Sequence, residues 1–244
     1  MATDASRPAF YALAPGGWRD YVTLLHPPYT AWHLSYVAIG AALTPAFAWD
    51  RLLATAAAFF LAVGIGAHAL DELNGRPLNT RIPERVLVAL AVVSIAGAIA
   101  LGILGAFTMT PWIAAFVVAG GFIVVAYNLE LLGGRFHGDL WFALAWGAFP
   151  LVTAYFAAAE QLDAVAAAGA VFAFLLSRAQ RFLSTPVRDI RRRVARVEGR
   201  IDRADGTSEP ITDQLLVRGN EAALRALALA SVALAAALVI MRAT

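Results

Sequence analysis

The sequence of 244 residues contains no cysteine and no lysine, and all 19 of its basic residues are arginine. The absence of cysteine excludes disulfide bonds, thiolate metal ligands and thiol nucleophiles. The absence of lysine excludes Schiff-base chemistry and the lysine of a phosphate-binding P-loop. Charged residues make up only 15% of the chain, against about 25% in soluble domains. An ordinary water-soluble protein is therefore not expected.

Apolar residues are abundant instead, at 60% of the chain, with a mean hydropathy of +0.68. A helix needs about 20 mostly apolar residues to cross the hydrocarbon core of a bilayer. Seven segments meet this requirement, and their alanine and glycine content favours close helix packing in lipid. The sequence thus predicts an all-α polytopic membrane bundle of about seven transmembrane helices, forming a single domain over residues 1–244. The predicted spans are 30–48, 52–70, 85–107, 111–129, 138–158, 161–183 and 221–241.

The arginines indicate how the bundle is oriented. With seven spans, Arg51 and Arg242 fall on one side of the membrane and the other seventeen of the 19 arginines on the opposite side. Cytoplasmic loops carry the excess of basic residues, so the N-terminus is predicted in the cytoplasm and the C-terminus outside it. The expected location is a bacterial or archaeal plasma membrane. Because this asymmetry accounts for the basic character of the chain, membrane lipids are expected partners and nucleic acid is not.

Two segments on the cytoplasmic side have helical periodicity. Residues 18–28 place aromatic and aliphatic side chains on one face, which is typical of an interfacial helix. In residues 186–203, Thr185 is a suitable N-cap and Pro186 a suitable first residue, and apolar residues recur every three or four positions. This pattern predicts an amphipathic helix with an arginine-rich face. Such a helix either lies on anionic headgroups or caps a cavity that binds an anion.

Polar residues cluster where the second predicted span ends. His68 lies three and four residues before Asp71 and Glu72, so it shares a helix face with each carboxylate. Carboxylates suit magnesium, and an added histidine favours zinc, iron or manganese. The alternative is that these carboxylates pair with Arg76 or Arg81.

The fourth and sixth predicted spans also end in polar residues on the cytoplasmic side. Arginine forks suit phosphate recognition, although each arginine can also serve as an anchor at the membrane surface. Because three spans end in this way, a functional site is favoured over isolated anchors. The residues that these two spans contribute are Tyr127, Asn128, Glu130, Arg135, His137, Asp139, Arg178 and Arg181.

The order of these features resembles the UbiA superfamily of intramembrane prenyltransferases. The sequence GRPLNTRIP after the second span, the tyrosine that ends the fourth and the charged segment after the sixth carry the resemblance, which extends over residues 18–200. It implies an all-helical bundle with two aspartate-rich cytoplasmic motifs. In that family, these motifs hold Mg²⁺ and a prenyl diphosphate, whose chain is transferred to an aromatic or other acceptor. The predicted bundle has fewer spans than the family usually has.

Both motifs depart from the family pattern. Asp71 matches an aspartate of the first motif and Arg76-Pro77-Leu78 its later part, but this motif is shortened. Residues 188–200 follow the second motif, with arginine at its three aspartate positions, namely Arg193, Arg196 and Arg200. A segment so changed cannot hold a second magnesium ion. It can bind a diphosphate directly, because arginine supplies both positive charge and hydrogen-bond donors.

The resulting hypothesis is a divergent prenyltransferase that binds a prenyl or polyprenyl diphosphate, or another isoprenoid lipid, at a cytoplasm-facing site with Mg²⁺ or another divalent cation. One alternative is a non-catalytic subunit that binds an isoprenoid or a quinone. A third is a metal-dependent membrane enzyme with a histidine–carboxylate site built around His33, His68 and His137. The predicted catalytic residues are Asp71, Glu72, Tyr127 and Asp139, the metal ligands are Asp71, Glu72 and His68, and the substrate-binding residues are Arg76, Asn128, Arg135, Arg178, Arg181, Arg188, Arg193 and Arg196.

The topology is testable because the chain has no native cysteine. In intact cells, a cysteine replacing Asn79 should be protected from a membrane-impermeant maleimide, because the arginine asymmetry places residues 71–84 in the cytoplasm. A cysteine replacing Thr244 should react from outside. External labelling at position 79 would contradict the assigned orientation.

Overall fold

The computed structural model describes residues 7–244, and its helix content is 74%, as predicted for an all-α chain. A small antiparallel hairpin of β1 (Arg200–Asp202) and β2 (Ser208–Pro210) is the exception to the helical architecture. The helices are α1 (Trp18–Leu24), α2 (Pro27–Leu43), α3 (Trp49–Leu73), α4 (Glu84–Thr108), α5 (Ile113–Asn128), α6 (Asp139–Ala159), α7 (Ala164–Arg193) and α8 (Asp213–Ala243), with one further turn at Leu131–Gly134.

Helices α3, α4, α6 and α8 are each long and apolar enough to cross a membrane, and α5 is a shorter apolar helix. These four helices support the prediction of a membrane protein. The structure has a helix at each of the seven predicted segments, but α2 and α7 are not among the candidate spans found in residues 7–244. The prediction of an all-α chain is thus confirmed, and four apolar helices support a membrane protein. The number of membrane crossings stays a prediction.

Helix α2 lies at the centre of the bundle, where it packs against both α6 and α8. Trp32 and Tyr36 have no exposed surface. The Trp32 indole N–H donates to the Tyr36 hydroxyl at 2.7 Å, and the Ser177 hydroxyl of α7 donates to the same oxygen at 3.1 Å. The aromatic core is thereby joined to α7 without leaving these buried polar groups unpaired.

Small residues allow the central helices to approach closely, as the composition predicts. A Cβ added at Gly40 of α2 would lie 2.2 Å from the carbonyl oxygen of Leu151 on α6. One added at Gly147 of α6 would lie 2.6 Å from the carbonyl oxygen of Ala173 on α7. Both distances are too short for a real side chain, so glycine is required at these two contacts.

Two of the long helices contain π-helical segments, Phe60–Ala67 within α3 and Leu144–Ala148 within α6. Such wide turns are rare and occur frequently at functional sites. Here they contribute Val63, Ala67 and Trp146 to the wall of a polar cavity of about 730 Å³, which is described below. The departure from regular α-helix therefore lies beside the candidate site.

Both predicted bounds of the helix over 186–203 are wrong. Helix α7 passes through Pro186 without a break, ends at Arg193, and is followed by the hairpin. Pro186 lies inside the helix, and the Thr185 hydroxyl donates back to the carbonyl of Arg181 at 2.8 Å in the turn before it. The Asp205-Gly206 pair, with Gly206 at φ 82°, forms the hairpin turn, and this dipeptide is a recognised hairpin signal.

The predicted helix over 18–28 is shorter in the structure, where α1 ends at Leu24. It cannot extend further because Pro27 begins α2 and His26, the N-cap of α2, has left-handed backbone angles. Trp18 and Tyr21 are exposed, as expected of residues at an interface, whereas Leu24 is buried.

The close contact between α2 and α6 gives a stability prediction. Gly40→Ala should lower the free energy of unfolding by about 1–3 kcal/mol, because the added methyl group overlaps the Leu151 carbonyl. Gly219→Ala in α8 is a matched control, since no atom lies within 4 Å of an added Cβ there. Thermal unfolding of the purified protein in detergent measures both. Equal stability of the two variants would contradict the close approach.

Candidate functional site

A polar cavity with a volume of about 730 Å³ lies where the C-terminal ends of α3 and α5 meet α7. The segment 8–11 and the start of α2 complete its wall. Its polar lining contains His26, His33, His68, Asp71, Tyr127, Asn128, Glu130, His137, Gln180, Arg181, Arg188, Asp189, Arg192 and Arg193. Most of the sequence-predicted polar residues thus surround one space.

Helix α7 contributes a row of arginines to this cavity. Arg181, Arg188 and Arg192 are spaced by seven and four residues, so they lie on one helix face. Arg188 donates to the Thr185 hydroxyl at 3.3 Å, and Arg192 donates to the Pro8 carbonyl at 3.3 Å. Within residues 7–244, neither Arg188 nor Arg192 forms an ion pair with a carboxylate at 4.0 Å or less.

Electrostatic repulsion acts among these arginines. The pKa of Arg188 is lowered by burial first, and then by the charges of Arg181 and Arg192. A buried guanidinium still remains charged at neutral pH, so the wall holds positive charge that is only partly compensated. This arrangement favours an anionic ligand.

Arg178 and Arg181, two of the other predicted substrate-binding arginines, both lie close to Asp139. Arg181 forms an ion pair with Asp139 at 2.7 Å and lies over the ring of Phe142, and the exposed Arg178 approaches the same carboxylate at 3.9 Å. The structure therefore places Asp139 outside the cavity, where it positions Arg181. The exposed Arg135 does not line the cavity either.

Two arginines of the family-like second motif have carboxylate partners. Arg193 lines the cavity but lies 3.7 Å from Asp189 on the same helix. Arg196 is exposed beyond the end of α7, is paired with Glu198 and does not line the cavity. The structure therefore places Arg196 outside the cavity, because α7 ends at Arg193. A role for Arg196 in substrate binding stays a prediction.

Asp71 and Glu72 are separated rather than paired. Asp71 lines the cavity. Glu72 has no exposed surface, and its two carboxylate oxygens accept the backbone N–H groups of Leu78 at 3.0 Å and Thr80 at 2.8 Å. Adjacent residues on a helix point about 100° apart, so the two carboxylates face different surroundings. In the structure, Glu72 holds the loop after α3. Its role as a metal ligand and catalytic residue stays a prediction.

Arg76 belongs to the same loop rather than to the cavity. Its guanidinium donates to the carbonyl of Ile82 at 2.7 Å, and its backbone has a φ of 55°. The sequence GRPLNTRIP is thus a loop that is folded around Glu72 and Arg76. The structure thus places Arg76 outside the cavity, and its role in substrate binding stays a prediction.

Tyr127 and Asn128, at the end of α5, are buried and line the cavity. The Tyr127 ring lies 4.5 Å from that of His137 and 5.4 Å, edge to face, from that of Trp146. Asn128 donates its side-chain amide to the Val124 carbonyl at 2.7 Å. Both predicted residues are therefore positioned to contact a ligand.

All four histidines line the cavity. The Nδ1 atoms of His33, His68 and His137 lie 2.7, 3.1 and 2.9 Å from backbone carbonyl oxygens. These contacts assign the proton to Nδ1 and leave Nε2 of each ring as an acceptor. His26 differs, because its Nδ1 lies 2.8 Å from the Tyr11 hydroxyl.

These donors do not form a metal site. Within residues 7–244, no group of three histidine, aspartate or glutamate side chains is close enough to hold a metal ion. With Glu72 occupied by the loop, Asp71 is the only carboxylate of the predicted first motif that is left for Mg²⁺. The residues present therefore do not fit the family's magnesium site.

Several cavity residues were not predicted as site residues from the sequence. Tyr11, Tyr29, Gln180 and Arg192 all line the cavity. Arg192 lies four residues after Arg188, so helical spacing would have indicated it. Tyr11 and Tyr29 precede the first polar motif, and no spacing in the sequence relates them to it.

A second, apolar cavity of about 140 Å³ lies among α3, α4, α5 and α6. Its lining is mainly alanine, glycine and phenylalanine. Val63 and Trp146 line both cavities, so the apolar space adjoins the polar one.

No protein-family model, curated protein or solved structure matches this chain.

The different surroundings of the two carboxylates can be tested. Glu72→Gln should destabilise the protein by about 1–3 kcal/mol, because the backbone N–H groups of the loop lose a charged acceptor. Asp71→Asn should change stability little, since Asp71 lines the cavity. Thermal unfolding of the two purified variants in detergent compares their stabilities. The opposite order of stabilities would reassign Glu72 to the site.

Proposed function

We propose that this chain is a divergent, UbiA-like membrane protein of seven spans that binds a prenyl diphosphate in the polar cavity and transfers its prenyl group. The diphosphate is held by arginine side chains of α7 rather than by magnesium. The binding site faces the cytoplasm, on the side that carries the arginine-rich loops.

One observation carries this proposal. Arg188 and Arg192 line the cavity on one face of α7 and have no carboxylate ion-pair partner in residues 7–244. Guanidinium groups bind phosphate oxygens through paired, charge-assisted hydrogen bonds. A diphosphate between these arginines would also offset the repulsion that lowers the pKa of Arg188.

The rest of the cavity suits the prenyl chain. Beyond the arginines, the wall includes Val63, Ala67, Phe142 and Trp146, and the apolar cavity adjoins it at Val63 and Trp146. An amphiphile with an anionic head and an unsaturated chain would place each part against residues of matching polarity.

The proposed chemistry breaks the allylic C–O bond and leaves its electron pair on the departing diphosphate. A nucleophilic atom of the acceptor then forms a bond to the allylic carbon, and the acceptor releases a proton to solvent. Arg188 and Arg192 stabilise the negative charge that develops on the diphosphate, since fixed donors at the position where charge develops lower the barrier. The faces of Tyr127 and Trp146 stabilise the allylic carbocation through cation–π interaction. No step of this proposed chemistry requires a metal ion.

A second candidate is a non-catalytic subunit that binds the same lipid. Two features favour it. Asp71 is the one carboxylate of the first motif that lines the cavity, and arginines stand where the family's second motif has aspartates. Binding without turnover would indicate this alternative. The histidine–carboxylate metal enzyme has no grouping of donors to support it among residues 7–244.

Arginine-to-lysine variants test the binding site. Arg188→Lys and Arg192→Lys should each weaken the binding of farnesyl thiodiphosphate about tenfold, equivalent to about 1.4 kcal/mol, because lysine keeps the charge but loses the forked donors. Titration into detergent-solubilised protein, with EDTA and then with Mg²⁺, gives the affinity. Arg196→Lys is the matched control, because Arg196 is outside the cavity.

The outcomes separate the possibilities. Binding that is equal with EDTA and Mg²⁺ supports direct recognition by arginine, whereas a strict need for Mg²⁺ contradicts it. Farnesol serves as a probe without the diphosphate and should bind far more weakly. If wild-type protein binds no analogue under either condition, the proposed function is rejected.

A further inference from the structure

A short segment before α1 covers part of the polar cavity. Pro8, Phe10 and Tyr11 line the cavity, although this segment belongs to no helix or strand. We call residues 8–12 the strap. Its backbone closes on itself, because the N–H of residue 12 donates to the carbonyl of residue 9 at 3.1 Å. The strap is thus a compact turn that lies across one side of the cavity.

The strap is attached to the bundle by side chains rather than by backbone pairing. Arg192 donates to the Pro8 carbonyl, and Arg191 donates to the carbonyl of the residue before it, each at 3.3 Å. Within residues 7–244, no backbone–backbone hydrogen bond joins the strap to another element. Segments held in this way open locally at a lower free energy than the fold as a whole.

Two aromatic side chains supply the other attachments. The Tyr11 hydroxyl lies 2.8 Å from Nδ1 of His26. The guanidinium of Arg225, on α8, lies 4.8 Å from the centre of the Phe10 ring, which is a cation–π distance. These contacts hold the strap against α2 and α8, and each joins single side chains.

The apolar surface beneath the strap is small. Ala9 and Ala12 are buried, and they pack against Leu78 of the loop after α3. Because the stabilisation from apolar burial grows with the area buried, two alanines contribute little of it. The strap is therefore closed at rest, and only a small apolar area is exposed when it lifts.

The chain between the strap and α1 is suited to bending. Gly16 and Gly17 have φ angles of 119° and 63°, and no atom lies within 4 Å of a Cβ added at either residue. Ala14 and Pro15, which precede them, are exposed. Hinges are short segments at the ends of elements, where a few residues absorb the change in backbone angles. Residues 14–17 have this position and this freedom.

We propose that the strap is a lid, which closes the polar cavity at rest and lifts about residues 14–17 to admit a solute from the aqueous phase. The moving part is the strap, and the fixed parts are α7, α8 and the loop after α3. The proposal concerns access to the cavity. It goes beyond the proposed function, because it holds for any ligand that the cavity binds.

The reaction rate of a cysteine in the cavity wall measures the opening, since the chain has no native cysteine. Ser184→Cys is nearly isosteric, and residue 184 lines the cavity with 8% of its surface exposed. In the detergent-solubilised full chain, the anionic reagent MTSES should modify this thiol roughly tenfold more slowly than that of Ala204→Cys, an exposed position on the hairpin.

Arg225→Gln loosens the lid from outside the cavity. Added to Ser184→Cys, it removes the cation from the Phe10 ring and should make the thiol react about threefold faster. Arg225 does not line the cavity, so a wider cavity does not account for a faster reaction. Arg218→Gln, at an exposed position of the same helix, is the matched control and should leave the rate unchanged.

Two further reporters separate lifting of the strap from loosening of the whole bundle. The thiol of Ala12→Cys lies under the strap and outside the cavity lining. Arg225→Gln should accelerate its reaction by the same factor as at residue 184. Ser231→Cys, buried in the bundle on α8, should stay unreactive with and without Arg225→Gln.

The outcomes decide between a lid and a fixed wall. If Ser184→Cys reacts as fast as Ala204→Cys, the cavity is uncovered and the proposal is overturned. Equal rates at residue 184 with and without Arg225→Gln, or an acceleration that Ser231→Cys shares, also overturn it. Joint acceleration at residues 12 and 184 supports the lid even if no diphosphate analogue binds, and that combination rejects only the proposed function.

Discussion

The site depends on α7 being one continuous helix from the apolar bundle to the arginine-rich end. Its inner part packs against the core through Ala173 and Ser177, both of which have no exposed surface. The same helix then brings Gln180, Arg181 and Arg188 to the cavity. If the helix broke at Pro186, the arginines beyond it would no longer follow the face that Arg181 occupies. Cations in the last turn also interact favourably with the helix dipole.

Buried polar contacts attach the remaining walls to this helix. Arg191 forms an ion pair with Glu221 of α8 at 2.5 Å, and both side chains are at most 8% exposed. Arg191 and Arg192 also donate to the backbone carbonyls of Arg7 and Pro8. Removing one partner of a buried ion pair typically costs 3–5 kcal/mol, about the scale of a domain's marginal stability. The cavity and the bundle are therefore stabilised by the same contacts.

The sequence predicts the helices well and the site only in part, for reasons that particular residues make clear. Apolar length locates the helices because it is a local property. Whether Glu72 faces the cavity or the loop is decided by the backbone N–H groups of Leu78 and Thr80, which the helix period alone does not place. The end of α7 at Arg193 depends likewise on the hairpin that follows it.

Charge pairing accounts for which of the many arginines remain for a ligand. The segment that resembles an acidic motif still contains Asp189 and Glu198, and these pair with Arg193 and Arg196. Arg181 is held by Asp139 in the same way. Arg188 remains without a carboxylate partner in residues 7–244, and it lies in a wall where burial and like charges already disfavour its cation. An anion bound there relieves both effects at once, whereas a divalent cation would add to the repulsion. The wall that contains Arg181, Arg188 and Arg192 is therefore better suited to bind a phosphate directly than to bind a metal ion.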